Sequence, residues 1–119
     1  MSAHINQQTI EGLKMLEEDG EPSFLIDLIE TLLKTSPAKL VNIENFLSAN
    51  DLVAAAKESH SLKSSVRALG ADILGGICQR LEDLKSTTNF DDAKKIYIEL
   101  KAEYEVIAQE LTSIKDKMK

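Results

Sequence analysis

Tryptophan is absent from the chain, and three phenylalanines and two tyrosines are its only aromatic residues. With few β-branched runs, a core of Leu, Ile and Ala favours helices over strands. A single cysteine, Cys78, excludes an intramolecular disulfide and any cysteine-based metal cluster. Two prolines and five glycines leave long stretches without a breaker. No apolar run reaches membrane-spanning length, since even FLIDLIETLL is interrupted by Asp27 and Glu30. The start, MSAHINQQTIEG, lacks the basic residues and apolar run of a signal peptide, so a soluble cytoplasmic protein is expected. Basic excess is missing as well: the formal net charge of -6 argues against a general nucleic-acid binder. What is present is 119 residues with 43% hydrophobic content, enough for one domain with an ordinary core.

Helical periodicity runs through nearly the whole chain. A first helix is expected over about 6–17, with Ile10, Leu13 and Leu16 inward, ended by EDGEP. A second covers about 22–33. TSPAK opens a third, with Ser36 as N-cap and Pro37 in the first helical position. Asp51 caps a fourth that reaches Leu69, where Gly70 offers a left-handed stop. Asp72 caps a fifth, whose stripe is Ile73, Leu74, Ile77, Cys78, Leu81 and Leu84. After the turn cluster STTNFDD, the last helix carries Ala93, Ile96, Leu100, Tyr104, Ile107, Leu111 and Ile114 at alternating three- and four-residue steps, a bundle seam. Short connections imply antiparallel neighbours. The expected fold is all-α: an antiparallel four-helix bundle of the third to sixth helices, covered at one end by the first two, in a single domain over 1–119.

The chemistry concentrates in ESHSLKSSVRALGA, Glu58 to Ala71. With Leu52, Ala55, Ala56, Leu62, Val66 and Leu69 as the core stripe, His60 lies roughly 120° from its centre and faces solvent. Lys63 and Ser64 follow one turn along, Arg67 a turn further, and Lys57 a turn back. Flanking cations disfavour an extra proton on the imidazole and suit a dianion attached to it. A neutral imidazole has a free lone pair and can act as a nucleophile. The spacing therefore fits a histidine that accepts and donates phosphoryl groups, weighed against the plainer reading of a solvated helix face.

HSLKSSVRALGA, followed by Leu74, Cys78, Leu81 and Glu82, resembles the signature of histidine-containing phosphotransfer (HPt) domains, H-x-L-K-G, then small residues, then L-G-A, then a helix with L, C and L-E. Gly20, Phe24, Leu28, Pro37, Leu40 and Asp51 also fall at similar positions. The resemblance implies a helical bundle that relays phosphoryl groups between aspartates of receiver domains in multistep two-component signalling. Carried over, His60 is the phosphorylated residue, Lys63 holds the phosphoryl oxygens, and Gly70 shapes the turn. The family usually has glycine where this chain has Ser64, whose hydroxyl can donate a hydrogen bond to phosphate.

No phosphate-cradling glycine loop or kinase-type nucleotide motif is present, so the chain is expected to be a carrier, not an enzyme with its own ATP site. No cofactor is expected on it; Mg²⁺ would come with the partner receiver domain. Attack through Nε2, the more outward ring nitrogen, is expected. The docking face should include Val53, Ala56, Lys57 and Ser61, continuing through Ser64, Arg67 and Ala68. Receiver domains and a hybrid sensor kinase are the expected partners of a monomer, with no nucleic acid and no membrane. Two rivals are a non-catalytic module that binds a receiver or kinase domain without accepting phosphate, and a metal-binding bundle. The second is disfavoured because no Glu-x-x-His pair is formed and His4 is expected in a mobile terminus.

Overall fold

The computed structural model describes residues 3–16 and 23–118, with the side chain of Ser23 left aside. Five helices follow in order: α1 Gln7–Met15, α2 Ser23–Ser48, α3 Leu52–Ala68, α4 Asp72–Glu82 and α5 Phe90–Met118. In the bundle, α3 packs on α2 and α4, and α5 closes the ring by packing on both α4 and α2. The links at 49–51 and 69–71 are too short for anything but antiparallel neighbours. EDGEP, with Gly20 and Pro22, lies outside the described residues.

The antiparallel four-helix bundle stands, but its first member is longer than the sequence suggested. The expected second and third helices are one, because α2 runs straight through Pro37. Proline removes an N–H and costs about 3 kcal/mol inside a helix. Here its ring faces solvent, while Leu25, Ile29, Leu32, Ser36, Leu40, Ile43 and Leu47 form an unbroken buried seam past it. Packing along that seam outweighs the local break. Ser36 is therefore no cap; it is fully buried in mid-helix. Tyr97 ties α5 to the same stretch by donating its hydroxyl to the Leu40 carbonyl at 3.0 Å.

Both ends of α3 follow local chemistry. Asn50, at φ 56°, ends α2 in a left-handed residue, with Asn50 N–H donating to Leu47 O and Asp51 N–H to Phe46 O. Asp51 then caps α3 by accepting from the Ala54 N–H at 3.0 Å. At the far end Gly70 takes φ 82°, its N–H donates to Arg67 O, and Ala71 N–H donates to Val66 O. That is the glycine stop anticipated there. Asp72 does not cap α4: the cap residue is Ala71, with no side-chain bond, and Asp72 instead supplies negative charge in the first turn.

The segment before α1 is anchored, contrary to the expectation of a mobile terminus. Ile5 is fully buried, Asn6 N–H donates to Gly70 O at 2.8 Å, and His4 Nδ1 donates to the Glu103 carboxylate. Asn6 Oδ1 also accepts from Gln8 N–H and caps α1. On α1 only Ile10 is buried; Leu16 is 67% exposed. On α3, Leu52, Ala55, Ala56, Leu62 and Val66 are all buried, as is Leu69 beyond it.

Candidate functional site

With the core stripe turned inward, α3 presents the opposite ridge to solvent, and His60 stands on it with 59% of its side chain exposed. The antiparallel register of α3 and α4 sets what lies beside it. Ser59, fully buried, fixes that register by donating its hydroxyl to the Cys78 carbonyl at 2.9 Å. Opposite His60 is Glu82, opposite Lys63 is Gln79, and opposite Arg67 is Gly75.

His60 Nδ1 lies 2.8 Å from Glu82 Oε1, and Lys63 Nζ lies 2.7 Å from Glu82 Oε2 and 2.7 Å from Gln79 Oε1. One carboxylate thus joins the imidazole to the ammonium. The Lys63 bond holds the Glu82 carboxyl below its ordinary range; the His60 bond acts in the same direction, against partial burial. An ionised carboxylate accepts, so Nδ1 carries the ring proton that donates to it. In the neutral ring the lone pair is then on Nε2. An ammonium has three donors, and Gln79 and Glu82 take two.

This corrects the picture of an imidazole flanked by cations alone, because its direct partner is a carboxylate. In the sequence Glu82 stands out only as part of a helix signature, and Gln79 not at all. The available signal was their three-residue spacing on one side of α4, but its meaning depends on the register across the seam. Ser64 also differs from expectation. Its hydroxyl donates back to the His60 carbonyl at 3.3 Å, so in this state it is not directed to a phosphate.

A groove of about 340 Å³ lies beside the ring, lined by Val53, Ala56, Lys57, His60, Glu82 and Lys85. Its floor is apolar, with Val53 67% exposed, and Lys57 and Lys85 bring the positive charge. Among the described residues no three His, Cys, Asp or Glu side chains gather into a metal-ion site.

A family model described as Hpt domain matches residues 27–112. The chain belongs to the Hpt domain family. It is 26% identical over 97 residues to the phosphorelay intermediate protein rdeA of Dictyostelium discoideum, covering 82% of this chain. The matched region is 38% of that relative's length. The fold is that of histidine-containing phosphotransfer protein B of Pseudomonas aeruginosa PAO1, with a TM-score of 0.87, 20% identity and 98% of each chain covered.

In this Hpt domain not every expected docking residue shares the groove beside His60. Val53, Ala56 and Lys57 line it. Ser61 opens on the α2 side of α3, with Phe46, Ala54, Lys57 and Glu58, and Ala68 on the same side with Leu28, Thr31 and Ser65. Lys85, in the turn after α4, also lines the groove. Cys78 is fully buried, and burial pushes its thiol up to about 11, so it is a core residue of the Hpt bundle. No helix among the described residues is long and apolar enough to cross a membrane.

Proposed function

We propose that this chain is a phosphoryl carrier of a multistep phosphorelay, with His60 as the residue that takes and returns the group. The observation that carries this reading is the exposed imidazole whose Nδ1–H is held by Glu82, leaving Nε2 free toward solvent. A partner receiver domain brings a phosphoaspartate and its own Mg²⁺. The Nε2 lone pair attacks phosphorus in line; the N–P bond forms as the acyl-phosphate O–P bond breaks, and the receiver's aspartate leaves as carboxylate. The ring, still protonated on Nδ1, gains positive charge beside the Glu82 carboxylate. The remaining donor of Lys63 meets the charge spread over the phosphoryl oxygens. Reversal passes the group to a second aspartate.

In this reading the domain brings a nucleophile and a docking face but no ATP site, and works as a monomer in the cytoplasm. A hybrid sensor kinase lies upstream and a response regulator downstream. The ridge of Val53, Lys57, Ser64 and Arg67, with the groove toward Lys85, receives the partner; Ser61 and Ala68 lie at its α2-side margin. Attraction between these cations and an acidic receiver raises the encounter rate and weakens with salt.

The test is incubation with phosphorylated receiver domains. Wild type is expected to acquire acid-labile label, His60→Gln to acquire none while keeping its helical content, and Lys63→Ala to transfer more slowly. Label on the His60→Gln protein overturns the assignment. A wild-type chain that binds a phosphorylated receiver yet takes no label returns it to a non-catalytic interaction module.

A further inference from the structure

Three rungs cross the α3–α4 seam at the site, and only two of them are complete. His60 is met by Glu82 and Lys63 by both Gln79 and Glu82. Arg67, the next basic residue along the same face, is met by a glycine. A Cβ built on Gly75 would stand 2.5 Å from Arg67 Nε, 2.7 Å from Cγ and 3.1 Å from Cδ. The arginine stem therefore lies directly on the bare backbone of α4. Gly76, the next residue, has nothing within 4 Å of such a Cβ, so the close approach belongs to Gly75 alone.

The guanidinium forms no ion pair or side-chain hydrogen bond with any described residue, although the chain carries an excess of acidic groups. Arg80, elsewhere on α4, does find a two-pronged carboxylate partner in Glu99. Arg67 is thus a positioned cation left without a partner, two turns from His60. A rise of about 1.5 Å per residue puts its Cα roughly 10 Å along the axis from that of His60, beyond a phosphoryl group on the ring but within the footprint of a docked protein.

We propose that Arg67, seated on Gly75, is a specificity-determining residue that receives a carboxylate on the surface of the incoming receiver domain. The inference rests on the phosphotransfer reading above and adds to it a division of labour. Lys63 serves the transferring group; Arg67 reads the protein that carries it. A planar guanidinium takes a carboxylate in two parallel bonds, which fixes orientation as well as supplying attraction. Gly75 acts through Arg67, by leaving room for its stem.

The experiment is single-turnover transfer from a phosphorylated receiver domain that labels wild type, with receiver concentration varied at low and high ionic strength. Arg67→Gln is expected to raise the receiver concentration for half-maximal transfer roughly 5- to 10-fold at low salt, with a much smaller difference at high salt. Arg67→Lys recovers part of the loss, since it restores charge but not the fork. Gly75→Ala forces the Arg67 stem to shift; it raises the half-maximal concentration in wild type but has no further effect beside Arg67→Ala, which removes the Cγ and Cδ that the new methyl meets. Equal half-maximal concentrations for wild type and Arg67→Gln at low salt overturn the proposal. So does a loss confined to the maximal rate, or one independent of salt. If wild type takes label from no receiver, the phosphotransfer reading falls first; if it takes label and Arg67→Gln matches it, only the role of Arg67 falls.

Discussion

Glu82→Ala separates the carboxylate's two duties. It removes a 2.7 Å bond to Lys63, between side chains only 12% and 19% exposed, and a 2.8 Å bond to a largely exposed imidazole. A charge-assisted hydrogen bond in partial shelter contributes roughly 1.5–3 kcal/mol, and the exposed histidine bond adds little. Lys63 keeps Gln79 and gains water, so a net loss of about 1–2 kcal/mol is expected in urea unfolding. The ring loses the acceptor that keeps its proton on Nδ1. Nε2 then carries the lone pair only part of the time, and label acceptance should fall roughly 10-fold, equivalent to about 1.4 kcal/mol on the barrier. Acid adds a further check. Because the folded carboxyl lies below its ordinary 4.5, its contribution to stability is fully present above 4.5 and is lost as pH falls through the lower folded value. The variant should lack that part of the wild-type acid limb. Long-range proton–nitrogen NMR reads the tautomer directly. If Glu82→Ala accepts label at the wild-type rate and His60 still holds its proton on Nδ1, the reasoning about the carboxylate is wrong.

Gly76→Ala should stabilise the fold by about 0.5–1 kcal/mol, because a mid-helix glycine is replaced where nothing lies within 4 Å of the new methyl; a lower urea midpoint would contradict this. Cys78 should resist a thiol reagent at pH 8 in the folded protein and react at once when unfolded, since it is fully buried and its thiol is pushed up to about 11. His4 is held above its ordinary 6.5 by its bond to Glu103, so the anchoring of the N-terminal segment is fully present below 6.5 and weakens as pH rises through the folded value. Protection of the Asn6 amide should follow that profile in wild type; a profile unchanged by His4→Gln would rule the device out.

Much of the bundle is legible in the sequence because its seams are regular. The α3 stripe from Leu52 to Leu69 and the α5 seam from Ala93 to Leu111 are buried where the periodicity puts them. Gly70 ends α3 through the backbone freedom that only glycine offers cheaply. Local signals mislead at Ser36 and Pro37, where a good helix start is overridden by a seam that continues through both residues. The cap expected at Asp72 moves one residue, a matter of local loop geometry. At the site, the face that bears His60 follows from its angle to the core. Its partners do not, because Gln79 and Glu82 lie on another helix and Lys85 in the turn after it, and which of them meets which residue of α3 depends on a register set partly by the buried Ser59–Cys78 bond. The link from His4 to Glu103 is likewise a contact between distant parts of the chain.

The most direct measurement is the location of the phosphoryl group after transfer. Wild-type protein with nitrogen-15 in its histidines, incubated with a phosphorylated receiver domain, should yield an acid-labile, base-stable adduct. Its nitrogen spectrum should place phosphorus on Nε2 of His60, with the proton retained on Nδ1. Label on any other residue, or on Nδ1 of His60, would contradict the account.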